Sequence, residues 1–443
     1  ILVRNPDYLR RLTEHRRLPA FKSREEFLTE ALSMADGLAT PAARLDGLRS
    51  YQHWELLRIG ACDTFGLLDL RSVTAQLSLL ADGFTQAGLN LLTNELQVDA
   101  SRFCVLAFGK LGGEELNYSS DIDLAFLATG DATQYWTLGQ RLIKALSQAT
   151  GEGFLYRVDM RLRPWGSSGP LVNTPEAHLN YLRKHGRTWE RQALVKARPI
   201  AGNLQIGRDF LKEAEPLIYG TPAEDVRESV RASKRRIEEN LKTSGRTWGE
   251  VKSGAGSIRD IEFTVQCLQL VYGRDRPAVR ARGTLNGLAR LADSGLLWAD
   301  EYRRLTAGYN FLRTVEHALQ LRHHRQVHSL PEGERELRHL ARRLDFPDAK
   351  SFVAHYEEHC RAVRSVFEKY VVEAAEGGAA SPAAPPLAPH AERMPQSYKA
   401  TFTAEEIADH AGLLAGLDEG RPVALHQAEP SAGDAAAPND ATV

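Results

Sequence analysis

The feature that most constrains this chain is a pair of aspartates, Asp121 and Asp123, at the head of an apolar run. Asp121-Ile122-Asp123-Leu124-Ala125-Phe126-Leu127 reads as a buried strand that Thr129-Gly130-Asp131 closes. Residues two apart on a strand project from one face, so the two carboxylates share a side. Beside buried neighbours such a pair is costly unless a cation accompanies it. Upstream, Phe103-Cys104-Val105-Leu106-Ala107-Phe108 suits a second buried strand, and a glycine-rich turn through Gly109, Gly112 and Gly113 follows it. A helix is expected over 134–150, and the stretch from Leu155 to Arg163 alternates from Tyr156 onward as a third strand, closed by Pro164 and Gly166. Residues 99–200 therefore predict a small α/β unit.

The flanks have a different period. Residues 1–98 read as helical, with Leu77, Leu80, Phe84 and Leu92 fitting helical spacing better than alternation. Helical periodicity returns over 201–372, where Leu312, Val315 and Leu319 share a face. The fold class read from this order is α+β, a small mixed sheet embedded between large all-α regions. Residues 373–443 read as a Pro/Ala-rich linker and tail, with an amphipathic helix over 400–417 and a disordered stretch over 427–441. A start without methionine and an abrupt stop at Val443 suggest a piece of a longer protein.

Composition excludes more than it selects. Net charge is −1, from 56 basic and 57 acidic residues, so no global field favours nucleic acid and any attraction to phosphate is local. Cys62, Cys104, Cys267 and Cys360 lie far apart with no CxxC pair, which reads as reduced thiols in a cytoplasmic protein. The sequence has no signal peptide pattern and no run of about 18 apolar residues, so no membrane partner is expected.

Mg²⁺ is the cation such oxygen-rich sites usually serve, because it also binds substrate phosphates. Asp159, on the next expected strand, would complete a three-carboxylate set for two ions about 3.5–4 Å apart. Gly109, Gly112 and Gly113 would let a phosphate approach the backbone amides, with Lys110 adding charge and Ser119 and Ser120 adding hydroxyl donors. Asp159, Arg161 and Arg163 alternate and would face one side, holding metal and phosphate together, although a surface salt-bridge ladder has the same spacing. Lys196 and Arg198 would share a face in an extended segment and could clamp phosphates; a solvated basic pair is the plainer reading. Trp189 is expected to be a buried aromatic and Ser257 a helix N-cap, with Lys252 near the phosphates. His317, His323, His324 and His328 cluster, but they lack an HExxH pattern and have Arg322 and Arg325 among them, so they read as a helix surface and its end.

Gly109, eleven residues, then Asp121-x-Asp123 resembles the polymerase β-like nucleotidyltransferase superfamily, with Lys110 where a serine is usual. The longer stretch from Gly109 through Leu124 is very similar to the glutamine synthetase adenylyltransferase motif. So are Val158-Asp159-Met160-Arg161-Leu162-Arg163-Pro164, the stretch from Trp189 to Arg198, and the stretch from Gly254 to Phe263. The resemblance implies a nucleotidyltransferase domain that uses two Mg²⁺ ions, with ATP or ADP and inorganic phosphate as substrates or products. It implies glutamine synthetase as protein substrate, with a PII signalling protein and glutamine as regulators. Gly169-Pro170-Leu171-Val172, the Ile258–Phe263 stretch, and Phe311-Leu312-Arg313-x-Val315-Glu316-His317-x-Leu319-Gln320 look like the first, deadenylylating half. That half removes AMP from a tyrosine with phosphate and releases ADP. ATP-dependent adenylylation, or a regulatory module of weak activity, stays open at this point.

Overall fold

The computed structural model describes residues 5–14, 18–323 and 327–373. The expected linker, the 400–417 helix and the 427–441 stretch lie outside these residues, as do His324 and Arg325. The described part belongs to one compact unit, 1–381.

Four helices precede the sheet: α1 (Asp7–Glu14), α2 (Arg24–Ala35), α3 (Pro41–Thr64) and α4 (Leu70–Leu96). Their starts are written in the sequence. Ser23 and Glu26 form a capping box, Thr40 caps α3 ahead of Pro41, and the Asp69 carboxylate accepts from the Ser72 amide. Then come β1 (Phe103–Phe108), the one-turn α5 (Gly109–Gly112), β2 (Ile122–Ala128), α6 (Trp136–Ser147), β3 (Val158–Asp159), β4 (Val172–Asn173), α7 (Pro175–Lys184), α8 (Thr188–Leu194) and β5 (Arg198–Gly202). The remainder is helical: α9 (Leu204–Ile218), α10 (Ala223–Thr243), α11 (Ile258–Tyr272), α12 (Thr284–Asp293), α13 (Ala299–His323), α14 (Glu334–Arg343) and α15 (Ala349–Phe367). No described helix is long and apolar enough to cross a membrane.

The sheet is mixed, as expected. Its order is β3-β2-β1-β5, with β4 pairing on β2. β1 runs antiparallel to both β2 and β5, whereas β2 pairs in parallel with β3 and β4. Helices cover both faces, which is why β1 and β2 are apolar throughout rather than alternating. Phe103, Val105, Leu124 and Phe126 join one core with α2, α3, α4 and α6, while Cys104, Leu106, Ala125 and Leu127 join another with α7, α9 and α10. A third core fills α11 to α15, including Leu312, Val315 and Leu319.

The structure departs from the reading of the sequence in four places. The Gly109–Gly113 turn is a short helix with Gly113 at its end. The third strand is only two residues long, because the Asp159 carboxylate accepts the Arg161 backbone N–H at 2.8 Å and turns the chain. Pro164, which has no amide, offers no means of resuming a ladder. The short strand β4 was not foreseen, and β5 begins only at Arg198, so Lys196 lies in the turn after α8 rather than on a strand.

Candidate active site

β1 delivers the chain to Gly109, and β2 carries Asp123 back opposite Phe108. Gly109 has φ +57°, and a Cβ on it would stand 2.3 Å from Asp123 Oδ2. A side chain there is therefore excluded twice, by backbone strain and by the carboxylate that lies against it. β3 pairs in parallel beside β2, in a register that sets Asp159 next to Asp123. Asp123 shares the sheet face of Ala125 and Leu127. The carboxyl of Asp123 is pushed up to about 6, first by burial and then by Asp159 and Asp121, with Lys252 and Arg161 pulling it back. Register thus sets Asp159 beside Asp123, and the charge of Asp121 is felt there too.

Two guanidiniums stand against them. Arg157 donates through Nε to Asp121 and through Nη2 to the Ser119 carbonyl. Arg161 donates through Nε and Nη2 to the Asp159 carboxylate, whose proton affinity it lowers. Among the described residues, no three His, Cys, Asp or Glu side chains are grouped closely enough to hold a metal ion. Asp121 and Asp159 each engage an arginine instead. The donor set nonetheless fits a divalent cation: all the donors are hard oxygens, their mutual repulsion raises Asp123, and the positive charge they require is supplied by arginines that remain partly or largely exposed.

The other predicted phosphate ligands separate into two groups. Lys252 stays near the carboxylates, and Lys110 near Lys252. Lys110 donates to both oxygens of Glu316, at 2.9 and 3.1 Å, and burial pulls its ammonium down to about 8 against that partner. The charge of Lys252 is felt at Asp123 and at Lys110. Ser119 and Ser120 lead directly into Asp121 and line a cavity of about 480 Å³ with Arg157, Asn117 and Tyr118.

Lys196 and Arg198 are neither a clamp on an open face nor a solvated pair. Lys196 is buried against Glu115 at 2.7 Å and Thr284 at 3.1 Å. Arg198 is buried against Asp82 of α4, at 2.6 and 3.1 Å, and donates to the Leu111 carbonyl. Gly112 and Gly113 are likewise buried; a Cβ on Gly112 would stand 2.2 Å from the Lys196 carbonyl, so this glycine makes room for protein. Arg163 turns away from Asp159 to donate to the carbonyls of Met160, Ser167 and Gly169.

Two further expectations, for Trp189 and His317, change, and that for Ser257 holds in position. Trp189 is 41% exposed rather than buried. Ser257 does stand at the N-cap of α11, but its hydroxyl donates to the Lys252 carbonyl, and the Gly256 amide there is taken by Asp260. His317 is buried rather than on a helix surface, with Nδ1 3.0 Å from Asp63 Oδ2. The four cysteines are free thiols, as expected. The sequence reading passed over Arg157 and Glu316. Arg157 alternates with Asp159, which was a usable signal, whereas Glu316 lies about 200 residues beyond Lys110 and local spacing could not connect them.

The family model described as glutamate-ammonia ligase adenylyltransferase matches residues 1–213. A bifunctional glutamine synthetase adenylyltransferase/adenylyl-removing enzyme of Streptomyces avermitilis is 36% identical over 377 residues, 82% of this chain and 37% of that protein. The chain belongs to the glutamate-ammonia ligase adenylyltransferase family. Proteins of the same name from Mycolicibacterium smegmatis (35% over 343 residues, 75% of this chain and 34% of the relative) and Mycobacterium avium (36% over 318 residues, 69% and 31%) are similar to it as well. The chain spans about a third of the length of these relatives. A second model, described as GlnD PII-uridylyltransferase, matches residues 225–371, which cover α11 to α15.

Proposed function

We propose that this member of the family is a magnesium-dependent nucleotidyltransferase that removes AMP from adenylyl-tyrosine of glutamine synthetase by phosphorolysis. The observation that carries the reading is Asp159 of β3 set beside Asp123 of β2, with Asp121 just ahead of β2 and Gly109 shaped around the Asp123 carboxylate. The names of the relatives support glutamine synthetase as the target. The direction rests on Gly169-Pro170-Leu171-Val172 and on the Ile258–Phe263 and Phe311–Gln320 stretches, which resemble the deadenylylating half. Control by a PII protein and glutamine belongs to the same proposal.

In the reaction, an oxygen of inorganic phosphate attacks the α-phosphorus of the adenylyl group. The bond from that phosphorus to the tyrosine oxygen breaks, the tyrosine takes a proton, and ADP leaves. Magnesium, when bound, supplies the positive charge that neutralises the phosphates and the leaving oxygen. Asp121, Asp123 and Asp159 would hold it. Arg157 and Arg161, partly or largely exposed, can pass from the carboxylates to phosphate oxygens, which suit the guanidinium fork equally well. Lys252 adds charge from the side of α11.

A two-arm assay tests the proposal. Adenylylated glutamine synthetase receives phosphate and Mg²⁺, and ADP release is followed; unmodified enzyme receives labelled ATP, and incorporation is followed. ADP release that is lost on Asp121→Asn with Asp123→Asn is the expected result. Incorporation alone would reverse the direction, and silence in both arms with folded protein would refute the activity.

A further inference from the structure

One face of α13 contacts the loop that carries the aspartates through four side chains. Arg313, Glu316, His317 and Gln320 are spaced i, i+3, i+4 and i+7, and each is at most 2% exposed. Arg313 Nη2 donates to the Glu115 carbonyl at 2.7 Å and to Asn117 Oδ1. Glu316 accepts from Lys110, and His317 Nε2 lies 3.3 Å from Asn117 Oδ1. Gln320 Oε1 accepts the Ser119 backbone N–H at 3.1 Å. All four partners lie between Gly109 and Asp121. This stretch is otherwise irregular after α5 and has few backbone hydrogen bonds of its own.

The peptide at Ser119 is held from both sides. Its amide is fixed by Gln320, and the Ser119 carbonyl accepts from Arg157, which also holds Asp121. A displacement of this peptide therefore moves the first aspartate of the pair. Catalytic groups must stay within a fraction of an ångström of productive geometry, and a misplacement of about 1 Å can reduce rate about 100-fold.

We infer that Gln320 is a positioning residue for Asp121, acting through the Ser119 amide, and that α13 sets the aspartate loop for nucleotidyl transfer. The inference rests on the proposed function for its kinetic consequence but not for its structural content. It also gives the Phe311–Gln320 motif a physical role: a helix within the segment that matches the uridylyltransferase model orients a loop within the segment that matches the adenylyltransferase model. Gln320 itself touches neither the carboxylates nor, on this reading, the substrate.

The test uses Gln320→Met, which keeps length and loses the acceptor, and Gln320→Glu, which keeps the acceptor. Thr314→Ala, on the exposed side of α13, is the control. In the ADP-release assay, the methionine variant is expected to lose kcat about 10- to 100-fold with KM for phosphate within about twofold. The glutamate variant should recover most of that loss, and Thr314→Ala should match wild type. Amide hydrogen exchange is read in parallel. In wild type the Ser119 amide should be protected although it lies in a loop, and the methionine change should release it. A Ser119 amide that exchanges freely in wild type overturns the inference without any variant having to fold. So does a folded methionine variant with unchanged kcat. If wild type shows protection but no transfer in either direction, the clamp stands and the proposed activity fails.

Discussion

Arg198 and Arg161 are each paired with an aspartate, yet the two pairs do opposite things. Arg198 and Asp82 are 9% and 1% exposed in their side chains and tie β5 to α4, whereas Arg161 and Asp159 are 80% and 18% exposed at the end of β3. Lys196 with Glu115 is of the first kind, and Arg157 with Asp121, at 41% each, is of the second. An enclosed pair has no solvent to replace either partner, so losing one strands the other. An open pair holds its charges where a ligand can take over from either. The contrast teaches that basic residues in a phosphate-handling sequence divide by enclosure, and only the open ones are available to a substrate.

The largest effect expected from this contrast is on folding. Arg198→Met should destabilise the chain by about 3–5 kcal/mol, because it leaves the Asp82 carboxylate buried and alone. Urea unfolding measures it, and a loss below about 1 kcal/mol would put Arg198 among the open residues. Next comes catalysis. Asp121→Asn should reduce ADP release at least about 100-fold, or about 2.7 kcal/mol, while leaving the unfolding midpoint near wild type. Loss of activity together with loss of fold would mean that Asp121 is structural.

Asp123 sharpens the contrast from the other side. Its carboxyl is raised from 3.8 to about 6, so between those values the folded chain holds a proton that the unfolded chain releases. Stability from this group is therefore lost as pH rises through that window and stays lost above it. After discounting for partial exposure, Asp123→Asn should stabilise the metal-free protein by about 1–2 kcal/mol at pH 7, with little gain at pH 4. A destabilised variant at pH 7 would show that Asp123 is satisfied by the protein alone. The smallest effect is at the open arginine: Arg161→Ala should change stability by less than about 0.5 kcal/mol.

How much of this was legible follows the same division. β1 and β2 were readable because a buried strand is apolar along its whole length, and the helical character of residues 1–98 because its apolar residues keep helical spacing. Strand spacing suggested Asp121 and Asp123 as a pair; β2 begins only at Ile122, yet the charge of Asp121 is felt at Asp123. What failed depended on partners distant in sequence. Nothing near Lys196 or Arg198 announces Glu115 or Asp82, and nothing near Lys110 announces Glu316. β3 failed for a local reason: the side chain of Asp159 competes with the ladder for the Arg161 amide, and an alternation of residues does not register that competition. Trp189 failed because an aromatic flanked by polar residues has no period of its own.

On the proposed function, Asp121, Asp123 and Asp159 form a metal site, with Arg157 and Arg161 against two of its carboxylates. Mn²⁺ binding, followed by the loss of its free-ion paramagnetic resonance signal, tests this without substrate or turnover. Wild type should bind saturably, with binding abolished in Asp121→Asn with Asp123→Asn and tightened in Arg157→Gln. Mn²⁺ that binds wild type and the double variant alike, or that binds neither at millimolar concentration, would contradict it.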